Sequence, residues 1–313
     1  MSAWRDQAER FRTDLDRLLP DPSARIGLAV SGGPDSMAML LLAAETMPDR
    51  IECATVDHGL RAEAAGEAGL VAAACATLGV PHSILTVEVE RIASIQAAAR
   101  AARYVALENW ASVRGLAAVA TAHHADDQAE TLLMRLCRGA GLSGLAGIRA
   151  RRPLGRIMVI RPLLDWRRDM LRAVVAGIPT VDDPSNSDPR HDRSRVRQLL
   201  ATLGDQVDID HMAKSAVHLA EAEEALAWTV EEAMRSRVSS CPNGRMLADV
   251  EGLPREITRR IVARLIGGAD SQVDGPTLDS AMRRLEQGST ATVGRLKLSP
   301  GRRILIEKAP PHR

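Results

Sequence analysis

The chain has 313 residues, 45% hydrophobic and 26% charged, with a formal net charge of +1. That length and balance predict a folded chain of two domains. They exclude nucleic-acid binding driven by overall charge, and no apolar run reaches the ~20 residues needed to span a bilayer, so no membrane partner is expected. The first dozen residues, with Arg5, Asp6, Glu9, Arg10 and Arg12, do not suit a signal-peptide core, and a cytoplasmic location is expected. Cys53, Cys75, Cys137 and Cys241 are far apart and form no Cys-x-x-Cys pair, so neither a disulfide framework nor a structural zinc site is expected, and each reads as a small buried apolar residue. Charge is uneven along the chain: residues 149–172 hold eight Arg against two Asp, 190–197 four Arg against one Asp, and 295–313 six cations against one Glu. Such patches can follow a phosphate backbone without a basic average.

In chain order, residues 4–19 read as an amphipathic helix stopped by Pro20. Short apolar runs at 26–30, 51–56, 82–87 and 117–121 read as strands. Between and after them, 37–47, 62–78, 95–113 and 125–137 read as helices. This alternation predicts an α/β domain, a parallel sheet with helices on both faces. Ligands of such sheets sit at the carboxyl ends of strands, near the point where strand order reverses. Gly139, Gly141, Gly144 and Gly147 open what reads as a flexible, arginine-bearing stretch to about Arg156. A short helix is expected at 193–203, a linker at 204–210, and helices at 211–235, 254–266 and 277–286. A β-hairpin of 291–298 and 303–307 closes the chain. The expected division is residues 1–205, then a smaller, mainly helical domain, 206–313, with the terminal hairpin.

Ser31-Gly32-Gly33-Pro34-Asp35-Ser36 lies between a strand and a helix. The glycines let backbone N–H groups approach a polyphosphate, and the helix adds its positive end. Pro34 suits the first helical turn. Ser31 and Ser36 offer hydroxyls, and Asp35 is suited to a magnesium ion. No Gly-Lys-Ser/Thr follows at Walker A spacing, which favours a loop that grips pyrophosphate. Asp126, Asp127 and Glu130 start a helix, with Asp126 and Glu130 on one face. These carboxylates could bind magnesium, hold an ammonium or accept its proton. His123 and His124 could contact phosphate or base. Arg100 and Arg103 share a helix face suited to phosphate or carboxylate, and Tyr104 reads as core.

The hexapeptide resembles the SGGxDS signature of PP-loop ATP pyrophosphatases, whose fold is that of the adenine nucleotide α-hydrolases. Within them, Val56-Asp57-His58-Gly59-Leu60-Arg61 resembles the VDHGLR segment of lysidine synthetases. Residues 96–104 resemble their QxxARxxRY helix, and 121–131 their AHHxxDQxET segment. Residues 161–164, 183–186 and 193–197 complete the series, which spans about 25–200. Ala102 and His191 depart from the family pattern.

The resemblance implies a ligase that uses ATP and Mg2+ to join free L-lysine to the wobble cytidine of tRNA(Ile) with a CAU anticodon. It implies nucleotide binding by Ser31, Gly32, Gly33, Pro34, Asp35, Ser36, Val56, Asp57 and His58. Asp35 and Asp126 would hold the metal, and Asp35, Asp127, Glu130, Arg100 and His123 would act in catalysis. The attacking amine must be neutral, and Asp127 or Glu130 is the expected base. Scattered cysteines favour amine over sulfur transfer. Oligomeric state stays open, a homodimer included.

Overall fold

The computed structural model describes residues 2–57, 64–87, 95–181, 192–268 and 273–309. The chain forms two compact units, Met1–Ala220 and Glu221–Arg313. The first is built on strands β1 (Ile26–Ala29), β2 (Ile51–Asp57), β3 (His82–Thr86), β4 (Ala118–Ala120), β5 (Arg151–Leu154) and β6 (Ile157–Ile160). Their order is β3-β2-β1-β4-β6-β5, parallel throughout except for the antiparallel edge pair β5–β6.

Strand pleating divides the core between two faces. Ile26, Leu28 and Cys53 join one cluster with Phe11 and Leu15 of α1 (Ser2–Leu18), Met37 and Leu40 of α2 (Pro34–Thr46), and Val71 and Cys75 of α3 (Ala64–Leu78). Ala54 and Val119 join the other, with Leu107, Trp110 and Ala111 of α4 (Ile95–Val113). The chain moves outward from β1 to β3 through α2 and α3, then returns to β4 through α4. Right-handed crossovers put helices of opposite travel on opposite faces, as expected from the alternation. The order reverses between β1 and β4, so their carboxyl ends frame a crevice. The phosphate loop follows β1, and α5 (Ala125–Cys137) follows β4.

Some features differ from expectation. Residues 139–156 are not a flexible stretch: a short helix, α6 (Leu142–Leu145), leads into β5, and β6 pairs with β4. Four apolar residues of β6 are too few to show a period. β5 carries Arg151, Arg152 and Pro153, tolerable because an edge strand can spare an N–H. The segment then forms α7 (Arg168–Val174) and α8 (Asp192–Leu203).

α9 (Ile209–Arg237) carries the unit boundary. The second unit continues with β7 (Val238–Cys241), β8 (Arg245–Asp249), α10 (Arg255–Gly267), α11 (Gly275–Glu286), β9 (Ala291–Val293), β10 (Leu296–Ser299) and β11 (Arg303–Lys308). Its antiparallel sheet runs β7-β8-β11-β10-β9, so the expected terminal hairpin is part of five strands. Gly294, at φ 55°, turns the chain between β9 and β10, splitting the run expected as one strand. Three cations of the basic end are paired: Arg302 with Glu251, Arg303 with Asp249, Lys297 with Glu307. Among the described residues no helix is long and apolar enough to cross a membrane.

Gly27 lets the Trp110 ring rest against β1: a methyl group there would overlap the ring and meet Leu116 Cδ1 at 3.2 Å. Gly27→Ala is expected to destabilise the protein by about 1–3 kcal/mol through overpacking. The denaturant midpoint measures this, and adding Trp110→Leu should recover part of the loss.

Candidate active site

β1 delivers the chain to Ser31, and Gly32 turns it at φ +84°, a conformation L side chains rarely adopt. Gly33 caps α2 with Pro34 in the first turn, leaving the helix's first N–H groups unclaimed by a side chain. Ser36 Oγ donates to Gly33 O at 2.9 Å and accepts the Ser31 N–H at 3.2 Å. Ser36 therefore braces the bend, and of the two hydroxyls expected to face phosphate, Ser31 is the freer. From outside, Val181 N–H donates to Gly32 O at 2.9 Å.

The loop opens on a cavity of about 900 Å³ lined also by Val56, Thr121, His123, Asp127, Arg103 and Arg168. Asp35 lines it, and its Oδ1 is buried with no hydrogen-bond partner among the described residues. Such an orphaned carboxylate oxygen is costly unless something occupies it. Asp127 lines the same cavity. Hard oxygen donors of this kind suit magnesium, which completes its shell with phosphate and water. No cluster of three or more His, Cys, Asp or Glu forms a metal site among the described residues.

His124, only 1% exposed, ties these carboxylates together. Its Nε2 lies 3.3 Å from Asp35 Oδ2 and 3.7 Å from Asp127 Oδ2, and its Nδ1 lies 3.5 Å from Asp126 Oδ2. Burial opposes its charge, but the bonds to Asp126 and Asp35 and the field of Asp127 win, raising its pKa to about 9. At neutral pH it is an imidazolium. Its neighbour His123 behaves oppositely. Burial, then repulsion from Arg161, Arg103, Arg100 and Arg193, hold it well below 6.5. His123 is neutral, bonded through Nδ1 to Thr121 Oγ1 at 3.0 Å, and meets the cavity as a hydrogen-bonding group.

Two expected roles change. Asp126 was expected to share a metal with Asp35, but its Oδ2 accepts the Arg168 N–H at 2.8 Å and faces Arg167 Nε at 3.5 Å. Burial opposes its ionisation, but His124 and that N–H hold it well below the usual carboxylate range. Glu130 was expected as a base, yet it is 1% exposed and enclosed by guanidiniums. Arg168 Nη2 lies at 2.9 Å, Arg197 Nε at 2.7 Å and Arg193 Nε at 3.5 Å. Both its oxygens accept from guanidiniums, and it does not line the first cavity. The helical spacing that puts Asp126 and Glu130 on one face turns both toward a second cavity, of about 570 Å³, while Asp127 faces the first. Arg168 and Arg197 line both cavities.

Arg103 lines the first cavity, whereas Arg100 sits over the Tyr104 ring, 5.3 Å from its centroid. Val56 lines the cavity and Asp57 ends β2, whereas His58, Asp183–Asn186 and His191 lie outside the described residues. Residues beyond those expected are Arg168, Arg172 and Glu67, which also line the first cavity. The run of arginines at 149–172 was their only sequence signal, and Glu67 gave none.

A family model described as a PP-loop domain matches residues 7–203. The tRNA(Ile)-lysidine synthase of Novosphingobium aromaticivorans is 45% identical, over 93% of this chain and 90% of that protein. The chain belongs to the tRNA(Ile)-lysidine synthase family. That of Zymomonas mobilis is 39% identical over 97% of this chain and 94% of its own. Beyond the lysidine synthases, the U34-tRNA thiolase of Methanococcus maripaludis shares the fold, with a TM-score of 0.57 at 17% identity over 71% of this chain and 79% of that one.

An imidazole held to about 9 in the folded protein, against about 6.5 unfolded, stabilises fully below about pH 6.5. That contribution is lost as pH rises through about 9. Nucleotide- and metal-free protein is expected to lose stability over this interval, and His124→Gln to flatten the slope. Denaturant midpoints across the range check this; equal slopes would refute the charged imidazole.

Proposed function

We propose that this chain joins lysine to carbon 2 of the wobble cytidine of tRNA(Ile) with a CAU anticodon, at the expense of ATP. The reaction passes through an adenylated cytidine and yields lysidine, AMP and pyrophosphate. The observation that carries this reading is a single cavity bounded by the phosphate loop, the orphaned oxygen of Asp35, and Asp127. Membership of the family supports the choice of substrates.

In the first step the cytidine 2-oxygen attacks the α-phosphorus of ATP, and the bond to the oxygen bridging to the β-phosphate breaks. Pyrophosphate departs against the N–H groups at the start of α2, where the helix end and the Ser31 hydroxyl receive its charge. Magnesium, held by Asp35 and Asp127, would neutralise the polyphosphate when bound. His124 fixes both carboxylates by opposing their charge from beneath, so the anionic site exists before substrate arrives. Neutral His123 can bond to base or ribose without drawing charge from the phosphates.

In the second step the lysine ε-amine attacks carbon 2, and the carbon–oxygen bond breaks to release AMP. The amine must first lose a proton; of the cavity carboxylates without a guanidinium partner among the described residues, Asp35, Glu67 and Asp127, the role is assigned to Asp127, which is free to take the proton once magnesium has left with pyrophosphate. The second cavity carries Asp126, Asp169, Asp208 and Asp210 with Arg167. That set suits a zwitterion bearing an extra ammonium, and the shared Arg168–Arg197 wall leads from it to the reacting base. No cysteine lines the first cavity among the described residues, which favours amine over sulfur as nucleophile.

Pyrophosphate release from ATP should require unmodified tRNA(Ile) with the CAU anticodon, and release of AMP with formation of lysidine should require lysine. Turnover without RNA, or incorporation of sulfur instead of lysine, would overturn the reading. Asp127→Asn is expected to slow the lysine-dependent step by about 10²–10⁴-fold in protein that remains folded at the assay temperature. Glu130→Ala, by contrast, should cost about 1–3 kcal/mol of stability, because it removes the buried carboxylate that holds the half-buried Arg168 and Arg197. Single-turnover kinetics and denaturant titration separate the two effects.

A further inference from the structure

Tyr104 is the only tyrosine in the chain, and it is 6% exposed. Three guanidiniums gather on its ring: Arg152 at 4.8 Å from the centroid, Arg100 at 5.3 Å and Arg103 at 5.4 Å. Arg161, 4% exposed, adds a fourth charge against the hydroxyl side. Burial would raise the Tyr104 hydroxyl, but Arg103, Arg100 and Arg161 outweigh it and lower its pKa. These arginines also lie within one another's fields, Arg161 feeling both Arg152 and Arg100.

Like charges packed this way need anions, and among the described residues no carboxylate pairs with Arg100, Arg103, Arg152 or Arg161. The polar atoms are unfilled as well. Arg103 Nε, Arg161 Nε and the Tyr104 hydroxyl are all buried without a hydrogen-bond partner. Other buried or half-buried arginines are held by carboxylates, as with Arg260 by Glu223 and Glu256 and Arg168 by Glu130. The cluster thus stands out as a charge surplus held in place by an aromatic face, which attracts cations without neutralising them.

Position identifies the anion. Arg103 and His123 line the first cavity, so the cluster adjoins the reacting site. Arg152 belongs to β5 and Arg161 follows β6, and the sheet order puts β4 and then β6 between the phosphate loop of β1 and β5. At ~4.8 Å per strand spacing, the outer part of the cluster is about 10 Å or more to the side of that loop. An anion there comes from a ligand larger than the triphosphate. RNA phosphates flanking the reacting nucleotide meet both requirements, and guanidinium forks suit phosphate.

We infer that Tyr104 is a positioning residue: its ring gathers Arg100, Arg103 and Arg152 beside Arg161 into a preformed seat for the phosphodiesters of the RNA substrate. The inference rests on the RNA-modifying reading above. The ring matters more than the hydroxyl, because it is shared by three of the four arginines.

The test uses the full chain with a stem–loop RNA carrying the CAU anticodon, and separately with ATP. Tyr104→Leu and the exposed-site variant Arg152→Gln should each weaken RNA binding by about tenfold or more while leaving the KM for ATP within about twofold. Arg152→Gln should reduce the slope of log Kd against log salt by roughly one, and Tyr104→Phe should bind RNA within about threefold of the parent. Unchanged RNA affinity in Arg152→Gln, or a parallel rise in the KM for ATP, would overturn the seat. So would loss of affinity in Tyr104→Phe equal to that in Tyr104→Leu. Arg152→Gln keeps the question open to refutation even if Tyr104→Leu misfolds. Binding is read without turnover, so a parent protein that binds the stem–loop through this cluster yet forms no lysidine refutes the ligase reading and not the seat.

Discussion

Three carboxylates, Asp35, Asp126 and Asp127, converge on the ring of His124, which is almost wholly buried. Asp35 belongs to the helix after β1, and the other two belong to the helix after β4. Without a cation between them, the carboxylates of α2 and α5 would repel across the crevice that the sheet opens at its reversal point. The imidazolium removes that repulsion and costs no exposed surface. It also leaves Asp35 Oδ1 unoccupied and Asp127 facing the cavity. The site is therefore anionic enough for a metal–polyphosphate complex, yet internally held.

A second buried charge set organises the other side of α5. Glu130 draws Arg168, Arg193 and Arg197 from α7 and α8 onto one helix. A buried carboxylate is tolerable only with such partners. The consequence is a wall of arginine side chains shared by two cavities. One face of α5 thus lines the cavity at the phosphate loop, and the other lines a polar chamber rich in carboxylates. A single helical turn separates the two tasks.

Charge is handled differently in the two units. In Glu221–Arg313 the arginines are largely compensated, as in Arg259–Asp279, Arg260–Glu223 and Arg303–Asp249. In the first unit the group around Tyr104 has no carboxylate partner among the described residues, although the chain as a whole is close to neutral. Net charge conceals this, because what attracts an anion is a local field and not an average. The basic terminal stretch, which looked like a nucleic-acid patch by composition, spends three of its cations on ion pairs within its own unit.

Most of the sheet was legible from sequence because alternating apolar runs and helices leave few topologies open, and the glycines of the phosphate loop declare a bend that other residues resist. The bounds of α4 and α5 follow directly from periodicity. What could not be read was anything set by non-local contact. β5 and β6 have four residues each, too few to carry a period, and β8 pairs not only with its neighbour β7 but with β11 at the far end of the unit. His123 and His124 are adjacent in sequence, so nothing local tells which ring meets carboxylates and which meets arginines. The chain alone determined that a strand–loop–helix would present amides to a polyphosphate, since glycine and proline act through their own backbone angles. Only tertiary structure decided which carboxylates face that loop, because the surroundings of a side chain are supplied by segments far away in sequence.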